Sequence, residues 1–200
     1  MEKVLLLITL VLTANTSFAQ KALKILKNDG SITYINASAV NKITFEAPLA
    51  IGDTLAGGII FYLDASGEHG LVAATSNQSN GIQWYNGSYT TTGATRDTVG
   101  AGKENTDMIV GNQGTGSYAA KLCSDLTLGG YTDWYLPSKY ELTLMYNNLK
   151  LNGFGDFSPG YYSSSTEFGD FVAWAKTFND GTVNMWQKNN STMVRAVRAF

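Results

Sequence analysis

The side chains of this sequence best suited to chemistry are aromatic rings that have amides and an ammonium group beside them. Within residues 182–188 (TVNMWQK), the alternation of a β-strand places one set of side chains on the same face: Thr182, Asn184, Trp186 and Lys188. If Val183 and Met185 face the core, Trp186 lies in solvent. An indole can stack on the apolar face of a sugar while polar neighbours bind hydroxyl or sulfate groups, so the strand predicts a glycan site. The alternative is that Trp186 packs under a loop and Val183 faces outward.

A second candidate site lies in residues 76–106, a long polar stretch rich in Asn, Gly, Ser and Thr. This stretch carries three aromatic residues that are candidate ligand contacts: Trp84, Tyr85 and Tyr89. A loop of that length in a compact domain is usually either functional or disordered, and the aromatic residues argue against disorder. Two interpretations stay open, because the rings either bind a ligand or hold the loop against the body of the domain.

The residues that enzymes and metal sites use most often are scarce. The sequence contains one cysteine and one histidine, which excludes a disulfide framework and a Cys/His zinc cluster. Cys123 shares a short helical face with Ala119 and Leu122, so we expect a buried, unpaired thiol. His69 lies in a turn flanked by glycine and is a poor partner for Cys123 in nucleophilic catalysis. The sequence therefore predicts no catalytic residues, no metal site and no cofactor.

One glycine pattern resembles a dinucleotide-binding fingerprint. Residues 114–119 (GTGSYA) fit G-x-G-x-x-A after a short apolar run at 108–110 and before a helix. The second βαβ unit that such a domain needs is missing from the pattern of elements. A turn that leads into a helix explains these glycines better, and we predict that the protein is not an enzyme.

Composition and charge limit the classes of molecule that the protein is expected to bind. The chain has 200 residues, 44% of them hydrophobic and 15% charged, with a formal net charge of −2. This is the composition of a globular protein without the basic surface that nucleic acids require. Residues 1–19 have the pattern of a secretory signal: Lys3, an apolar run at 4–12 and small residues at Ser17 and Ala19. We therefore expect export to the periplasm, the cell surface or the medium, with no membrane span.

The remaining chain divides into a small unit and a main domain. Residues 20–47 predict a β-hairpin with its turn at Asn28-Asp29-Gly30 and a helical turn at 38–43, followed by a linker at 48–51. In the main domain, residues 52–200, we predict strands at 57–64 and 70–74, a short helix within 118–125, a helix within 137–150 and strands from 161 to the C-terminus. Ser138 and Glu141 have the spacing of a helix capping box, directly after Pro137. This order indicates an α+β fold with two helices.

Several motifs of the main domain resemble the DUF1566 family, which includes the C-terminal domain of the Legionella collagen-like adhesin. They are, in order, residues 129–142 (GGYTDWYLPSKYEL), 161–166 (YYSSST), 172–174 (VAW) and 194–198 (VRAVR). The strands at 57–64 and 70–74 are similar to Bacteroidetes-type exported versions of this module. The resemblance implies a C-type-lectin-like fold, in which two helices flank small antiparallel sheets with a long loop region. It also implies attachment at the cell surface and binding of sulfated glycans, although the calcium-dependent sugar motif of animal C-type lectins is missing from this sequence.

Most of the matched residues are better explained by structural roles than by ligand binding. These residues are Trp134, Pro137, Ser138, Glu141, Arg195 and Arg198. We expect Trp134 to fill the junction of two helices. Arg195 and Arg198 would point to opposite faces of one strand, and at least one of them would pair with Asp133 or Glu141.

The combined prediction is an exported, non-enzymatic binding module for a glycan or a surface protein. The alternative is a structural subunit of a cell-surface assembly that makes its contacts through residues 21–47. The third possibility, an enzyme on a fold like that of the formylglycine-generating enzyme, is the least supported because such catalysis uses reactive cysteines.

Overall fold

We describe a computed structural model of the chain, covering residues 22–26, 30–36 and 47–200. The backbone divides into two compact units, residues 1–47 and 48–200. The predicted signal peptide, the first two turn residues of the hairpin and the helical turn at 38–43 lie outside the described residues. No described helix has the length and the apolar character to cross a membrane.

The first unit contains an antiparallel pair of strands. Strands β1 (Ala22–Leu26) and β2 (Ile32–Asn36) pair in register, with Ala22 opposite Asn36 and Leu26 opposite Ile32. This pairing agrees with the predicted hairpin. In β2, Ile32 is 46% exposed and Tyr34 is 65% exposed.

The first sheet of the second unit has four antiparallel strands in the order β11-β5-β4-β3. Their bounds are Thr54–Leu55 for β3, Gly58–Leu63 for β4, Gly70–Ala74 for β5 and Val197–Ala199 for β11. Both faces of this sheet are covered. Ile60 and Val72 pack in one hydrophobic cluster, whereas their neighbours Phe61 and Leu71 pack in the other. The sheet is therefore the central layer of the domain.

The second sheet has five strands in the order β6-β10-β7-β8-β9. Their bounds are Ser79–Ile82 for β6, Tyr161–Glu167 for β7, Val172–Thr177 for β8, Val183–Gln187 for β9 and Thr192–Val194 for β10. Strand β10 runs parallel to β7, with Met193 opposite Tyr162. The sheet is therefore mixed, and the expectation of purely antiparallel sheets was wrong for this pair.

Three α-helices occur in the described residues, one more than predicted. Their bounds are Ala101–Gln113 for α1, Ala119–Ser124 for α2 and Lys139–Asn148 for α3. Helix α1 was not predicted. It covers the end of the stretch at 76–106, which was expected to be a loop, and the short apolar run at 108–110, which was expected to precede the first helix. Its buried face carries Gly102, Asn105, Thr106 and Gln113. A helix that buries polar residues lacks the apolar period by which helices are recognised in a sequence.

Helix α3 begins where the sequence predicted. The Ser138 side chain accepts a hydrogen bond from the Glu141 amide, and the Glu141 side chain accepts one from the Ser138 amide, so both halves of the capping box are present. The architecture is thus mixed α+β, with three helices and two small sheets in the second unit. The C-type-lectin-like topology stays a prediction.

Candidate functional site

One face of the five-stranded sheet carries a shallow pocket. The pairing of β7, β8 and β9 sets Ser163 opposite Ala175, Ala175 opposite Asn184 and Ala173 opposite Trp186. Because paired residues point to the same side of a sheet, these side chains share one face, which we call the pocket face. Two of the residues predicted to bind a ligand, Asn184 and Trp186, lie on it.

The pocket is a small depression and not a cavity that encloses a ligand: the space of about 190 Å³ at this place includes open solvent. Its floor consists of small side chains, since Ala173 and Ala175 are each 3% exposed. The residues that line it are Trp84, Ser163, Ala173, Trp174, Ala175, Trp186, Gln187, Asn190 and Thr192. Aromatic, amide and hydroxyl groups thus surround an apolar floor, which is the usual composition of a small-molecule site.

Trp186 is held as one wall of the pocket. Its ring stacks on Tyr161 with the centroids 4.0 Å apart and the planes 22° from parallel. The Trp186 Nε1 atom is buried and has no hydrogen-bond partner among the described residues. A buried indole N–H is normally paired, so this donor is the unusual polar group of the site. The Ser163 and Thr192 hydroxyls lie 2.7 Å apart and bond to each other on the opposite side of the pocket.

Lys188 is not among the residues that line the pocket. The prediction that its ammonium group is solvent-facing was wrong, because the side chain is 0% exposed. Strand β9 ends at Gln187, yet the Lys188 amide still donates to the Phe171 carbonyl oxygen. The side chain is therefore buried by its contacts with Glu167 and the Trp84 ring, not by the end of the alternation. The condition under which Trp186 was expected to lie in solvent, that Met185 faces the core, is not met: Met185 is 53% exposed on the opposite face of this edge strand.

The ammonium group of Lys188 is occupied inside the protein. Its Nζ lies 2.5 Å from Glu167 Oε1 and donates to the Thr90 carbonyl oxygen at 2.9 Å. It also lies 4.5 Å from the centroid of the Trp84 ring. Both charged side chains of the pair are 0% exposed. A buried pair of this kind requires that its remaining polar atoms also find partners.

The Glu167 carboxylate supplies those remaining contacts by accepting from the loop that precedes α1. Thr92 and Gly93 donate their amides to it at 2.8 and 2.9 Å. The Trp84 indole, only 3% exposed, donates to the Ser164 carbonyl oxygen at 2.9 Å. Trp84 therefore holds the loop against the body of the domain, which was one of the two interpretations of this ring. Part of its surface still lines the pocket.

The loop presents an exposed aromatic patch, formed by Tyr85, Tyr89 and Phe171. The Tyr89 ring centroid lies 4.7 Å from that of Tyr85 and 5.0 Å from that of Phe171. Tyr89 is 40% and Phe171 is 61% exposed. The Phe171 carbonyl oxygen accepts from the Lys188 amide at 2.9 Å, which places the patch beside the end of β9. The sequence analysis did not identify Phe171 as a candidate contact. The feature that could have indicated it is an apolar residue in the polar turn after β7.

The motif residues of the family resemblance lie mostly inside the domain. Trp134 is 1% exposed and donates to the Leu128 carbonyl oxygen at 3.2 Å. It belongs to a cluster that includes Ile109 of α1 and Cys123 of α2. Pro137 is buried as well, and its carbonyl oxygen accepts from the Ser165 amide at 2.7 Å.

The two arginines do not share a strand, because β10 ends at Val194 and β11 begins at Val197. The expectation of one continuous strand was therefore wrong. Arg198 makes two hydrogen bonds to Asp133, at 2.7 and 3.0 Å, which is the expected carboxylate pair. Arg195 is 2% exposed and donates to the side-chain oxygen of Asn77 and to the carbonyl oxygens of Ala74 and Gly155, each at 2.9 Å.

Two further titratable groups, the Cys123 thiol and the Glu141 carboxylate, are buried. Cys123 is unpaired and 0% exposed, as predicted, and burial raises the pKa of its thiol. Burial also raises the pKa of Glu141, against the effect of the amides of Ser138 and Gly100, which donate to its carboxylate. In the described part of the chain, no group of three or more His, Cys, Asp or Glu residues is placed to hold a metal ion.

Comparisons with known proteins point to one family. A family model described as the Lcl C-terminal domain matches residues 73–198. A solved structure of a fimbrial protein from Bacteroides ovatus is similar at 15% identity with a TM-score of 0.48. That likeness covers 88% of this chain and 48% of the fimbrial protein, so this chain spans about half of that protein's length. No curated protein matches the chain significantly.

Proposed function

Because this chain belongs to the Lcl C-terminal domain family, we propose that it is a surface-associated, non-enzymatic binding module whose ligand is a glycan. The site consists of the pocket and the neighbouring aromatic patch. The observation that carries the proposal is the Trp186 indole, which borders a floor of Ala173 and Ala175 and has an unpartnered N–H. Sugars are bound by this combination of aromatic surface and hydrogen-bonding groups.

The contacts around the pocket suit a sugar ring. The C–H groups of a sugar can pack on the indole and the alanine floor, while its hydroxyls exchange hydrogen bonds with Asn190 and the Ser163–Thr192 pair. The aromatic patch extends the surface, so a second sugar unit can stack on Tyr89 or Phe171. Side chains that are already held by packing lose little entropy on binding, which favours affinity.

A glycan array tests this assignment. Wild type, Trp186→Ala and Met185→Ala are compared under the same conditions. Met185 is the matched control, because it is exposed on the same strand but points to the opposite face. We expect Trp186→Ala to lose at least about tenfold in signal, equivalent to about 1.4 kcal/mol, and Met185→Ala to bind as wild type. Equal signals from all three proteins would remove the site.

We also propose that residues 1–19 are removed on export, leaving residues 20–47 as a small unit and residues 52–200 as the binding domain. The support is the charged start, apolar run and small residues of a signal peptide. Intact-mass measurement of the exported protein tests the cleavage site. A chain that begins at Gln20 is expected, and a chain that retains its first residues would contradict the proposal.

A second candidate function is that of a structural subunit, favoured by the apolar exposure of β2. Ile32 and Tyr34 lie on one face of a two-stranded sheet, and such a sheet is rarely stable by itself. If this face forms a contact between chains, Tyr34→Ser lowers the mass measured in solution. Leu151→Ser is the control, because Leu151 is also exposed, at 64%. An unchanged mass for Tyr34→Ser would count against assembly.

A further inference from the structure

We infer that the ligand of the pocket is an uncharged saccharide, recognised by stacking and by neutral hydrogen bonds rather than by ion pairs. The inference rests on the proposed function and adds the ligand's charge class to it. It differs from what the family resemblance implied, which was a sulfated glycan.

The pocket itself presents only uncharged side chains. The lining groups are indoles, methyls, hydroxyls and amides. Sulfate recognition uses cationic or backbone N–H donors, because the anion is strongly hydrated and its desolvation must be offset. Amides and hydroxyls instead match the mixed donors and acceptors of sugar hydroxyls.

The cation nearest to the pocket in sequence is unavailable to an anion. Lys188 follows the lining residue Gln187, but its ammonium group contacts Glu167, the Thr90 carbonyl oxygen and the face of Trp84. To reach a sulfate it would have to leave the Glu167 carboxylate unpaired in the interior. Losing one partner of a buried pair destabilises a protein by more than a rim contact to sulfate would return.

Two further cations, Lys176 of β8 and Lys139 of α3, lie near this sheet. Lys176 is paired with Val183 across β8 and β9, and its Nζ is 5.0 Å from the Tyr146 ring of α3. Lys139 lies 4.7 Å from the Trp174 ring and is paired with Asp97 at 2.9 Å. The sheet register directs the Lys176 side chain away from the pocket face, since Ala175 precedes it in the strand, and the charge of Lys139 is already paired with that of Asp97.

The charge next to the aromatic patch is negative. Asp170 directly precedes Phe171 in the turn after β7, is exposed, and accepts a hydrogen bond from the Thr91 hydroxyl. A carboxylate at this rim opposes an anionic ligand and leaves a neutral one unaffected. The lysines near the pocket are already paired or point away from it, and the carboxylate beside the aromatic patch is negative. Neither arrangement favours an anionic ligand, which matches the uncharged lining of the pocket.

The test is an array that prints each neutral oligosaccharide beside its O-sulfated counterpart, followed by calorimetric titration of the best pair at low and high salt. We expect the neutral member to bind, sulfation to give no gain, and the affinity to change less than about twofold between about 0.05 and 0.5 M salt. Trp186→Ala should lose this binding, and Met185→Ala should keep it.

Two other results would overturn the inference in distinguishable ways. Sulfated glycans that bind at least about tenfold more tightly than their neutral counterparts, and that weaken steeply with salt, would leave the glycan function standing and contradict the neutral assignment. Binding to no glycan in either series would contradict the proposed function and the inference together.

Discussion

At the scale of single residues, the buried pair of Glu167 and Lys188 connects three parts of the chain. Glu167 ends β7, Lys188 follows β9, and the backbone at Thr90, Thr92 and Gly93 binds both charges. Each charge therefore has partners that offset its desolvation. The pair fixes the loop that carries Tyr89 against the sheet, so it sets the position of the aromatic patch.

Lys188→Met should destabilise the protein by about 3–5 kcal/mol, because it leaves the Glu167 carboxylate buried without its cation. Urea denaturation measures the change in the free energy of unfolding. Lys121→Met is the matched control, because Lys121 pairs with Asp125 at the surface of α2 and should contribute less than about 1 kcal/mol. If both variants lose the same small amount of stability, the buried pair of Glu167 and Lys188 contributes no more to the free energy of unfolding than a surface pair does.

The Asp133–Arg198 pair predicts a dependence on pH. The hydrogen bond from Arg198 holds the pKa of Asp133 below its ordinary value of 3.8. A carboxyl group with a depressed folded-state pKa contributes stability above its unfolded pKa and loses it as the pH falls through the folded one. The Asp133 side chain is 52% exposed, so solvent screening limits the contribution to about 0.5–1 kcal/mol.

The variant Asp133→Asn tests the predicted direction in which stability changes with pH. Urea denaturation should show wild type more stable than the variant at about pH 7, and the difference should shrink toward zero near pH 2 as the aspartate becomes protonated. A difference that stays constant over this range would mean that the charge of Asp133 is not what stabilises the contact.

Residue roles were predictable where the partners are close in sequence. Ser138 and Glu141 are three positions apart, and their spacing alone predicts a capping box. The partner of Lys188 is 21 positions away, on a strand whose end the alternation pattern does not mark. A solvent-facing lysine and a buried, paired one therefore look the same in the sequence.

At the scale of elements, α1 shows how polar contacts can replace an apolar helix face. Asn105 exchanges hydrogen bonds with the backbone of Arg96, at 2.8 and 3.1 Å. Gln113 accepts from the Asn86 amide at 2.8 Å and donates to the Thr90 hydroxyl at 2.8 Å. The buried face of the helix thus binds the loop that supports the candidate site, which is why a search for apolar periodicity did not find it.

Two glycines in α1 give opposite predictions for the same substitution. A Cβ at Gly102 would lie 2.5 Å from Glu141 Oε2 and 2.6 Å from the Leu136 carbonyl oxygen, whereas a Cβ at Gly111 meets nothing within 4 Å. Thermal unfolding should show Gly111→Ala stabilised by up to about 1 kcal/mol, from helix propensity alone. Gly102→Ala should be destabilised by about 1–3 kcal/mol, because of overpacking. Equal shifts in the same direction would contradict the close packing of α1 against α3.

At the scale of the whole molecule, the general order of strands, then helices, then strands could be predicted, but β6, α1 and the assignment of strands to sheets could not. The C-terminal segment was expected to form one strand. It instead changes sheets at Arg195 and Ala196, with β10 in the five-stranded sheet and β11 in the four-stranded one. Arg195 is buried at this crossing and binds the carbonyl oxygens of Ala74 and Gly155. Such a change of sheet depends on long-range contacts that no local pattern records.

The candidate site depends on the same long-range arrangement. Four strands, β7 to β10, and the loop that carries Trp84 contribute residues to one pocket. The strand pattern in the sequence indicated Trp186 as a ligand contact, while the small floor at Ala173 and Ala175 became apparent only from the register. A binding surface built in this way requires the sheet and the loop to form together.

The most direct test of the glycan site is to follow the tryptophan indole N–H resonances of ¹⁵N-labelled protein during titration with the best neutral oligosaccharide from the array. Trp186 borders the pocket with an unpartnered N–H, whereas Trp134 is 1% exposed in the core and already bonded to Leu128. We predict a saturable shift of the Trp186 signal and none for Trp134. If a glycan binds while the Trp186 signal stays in place, Trp186 is not part of the binding site.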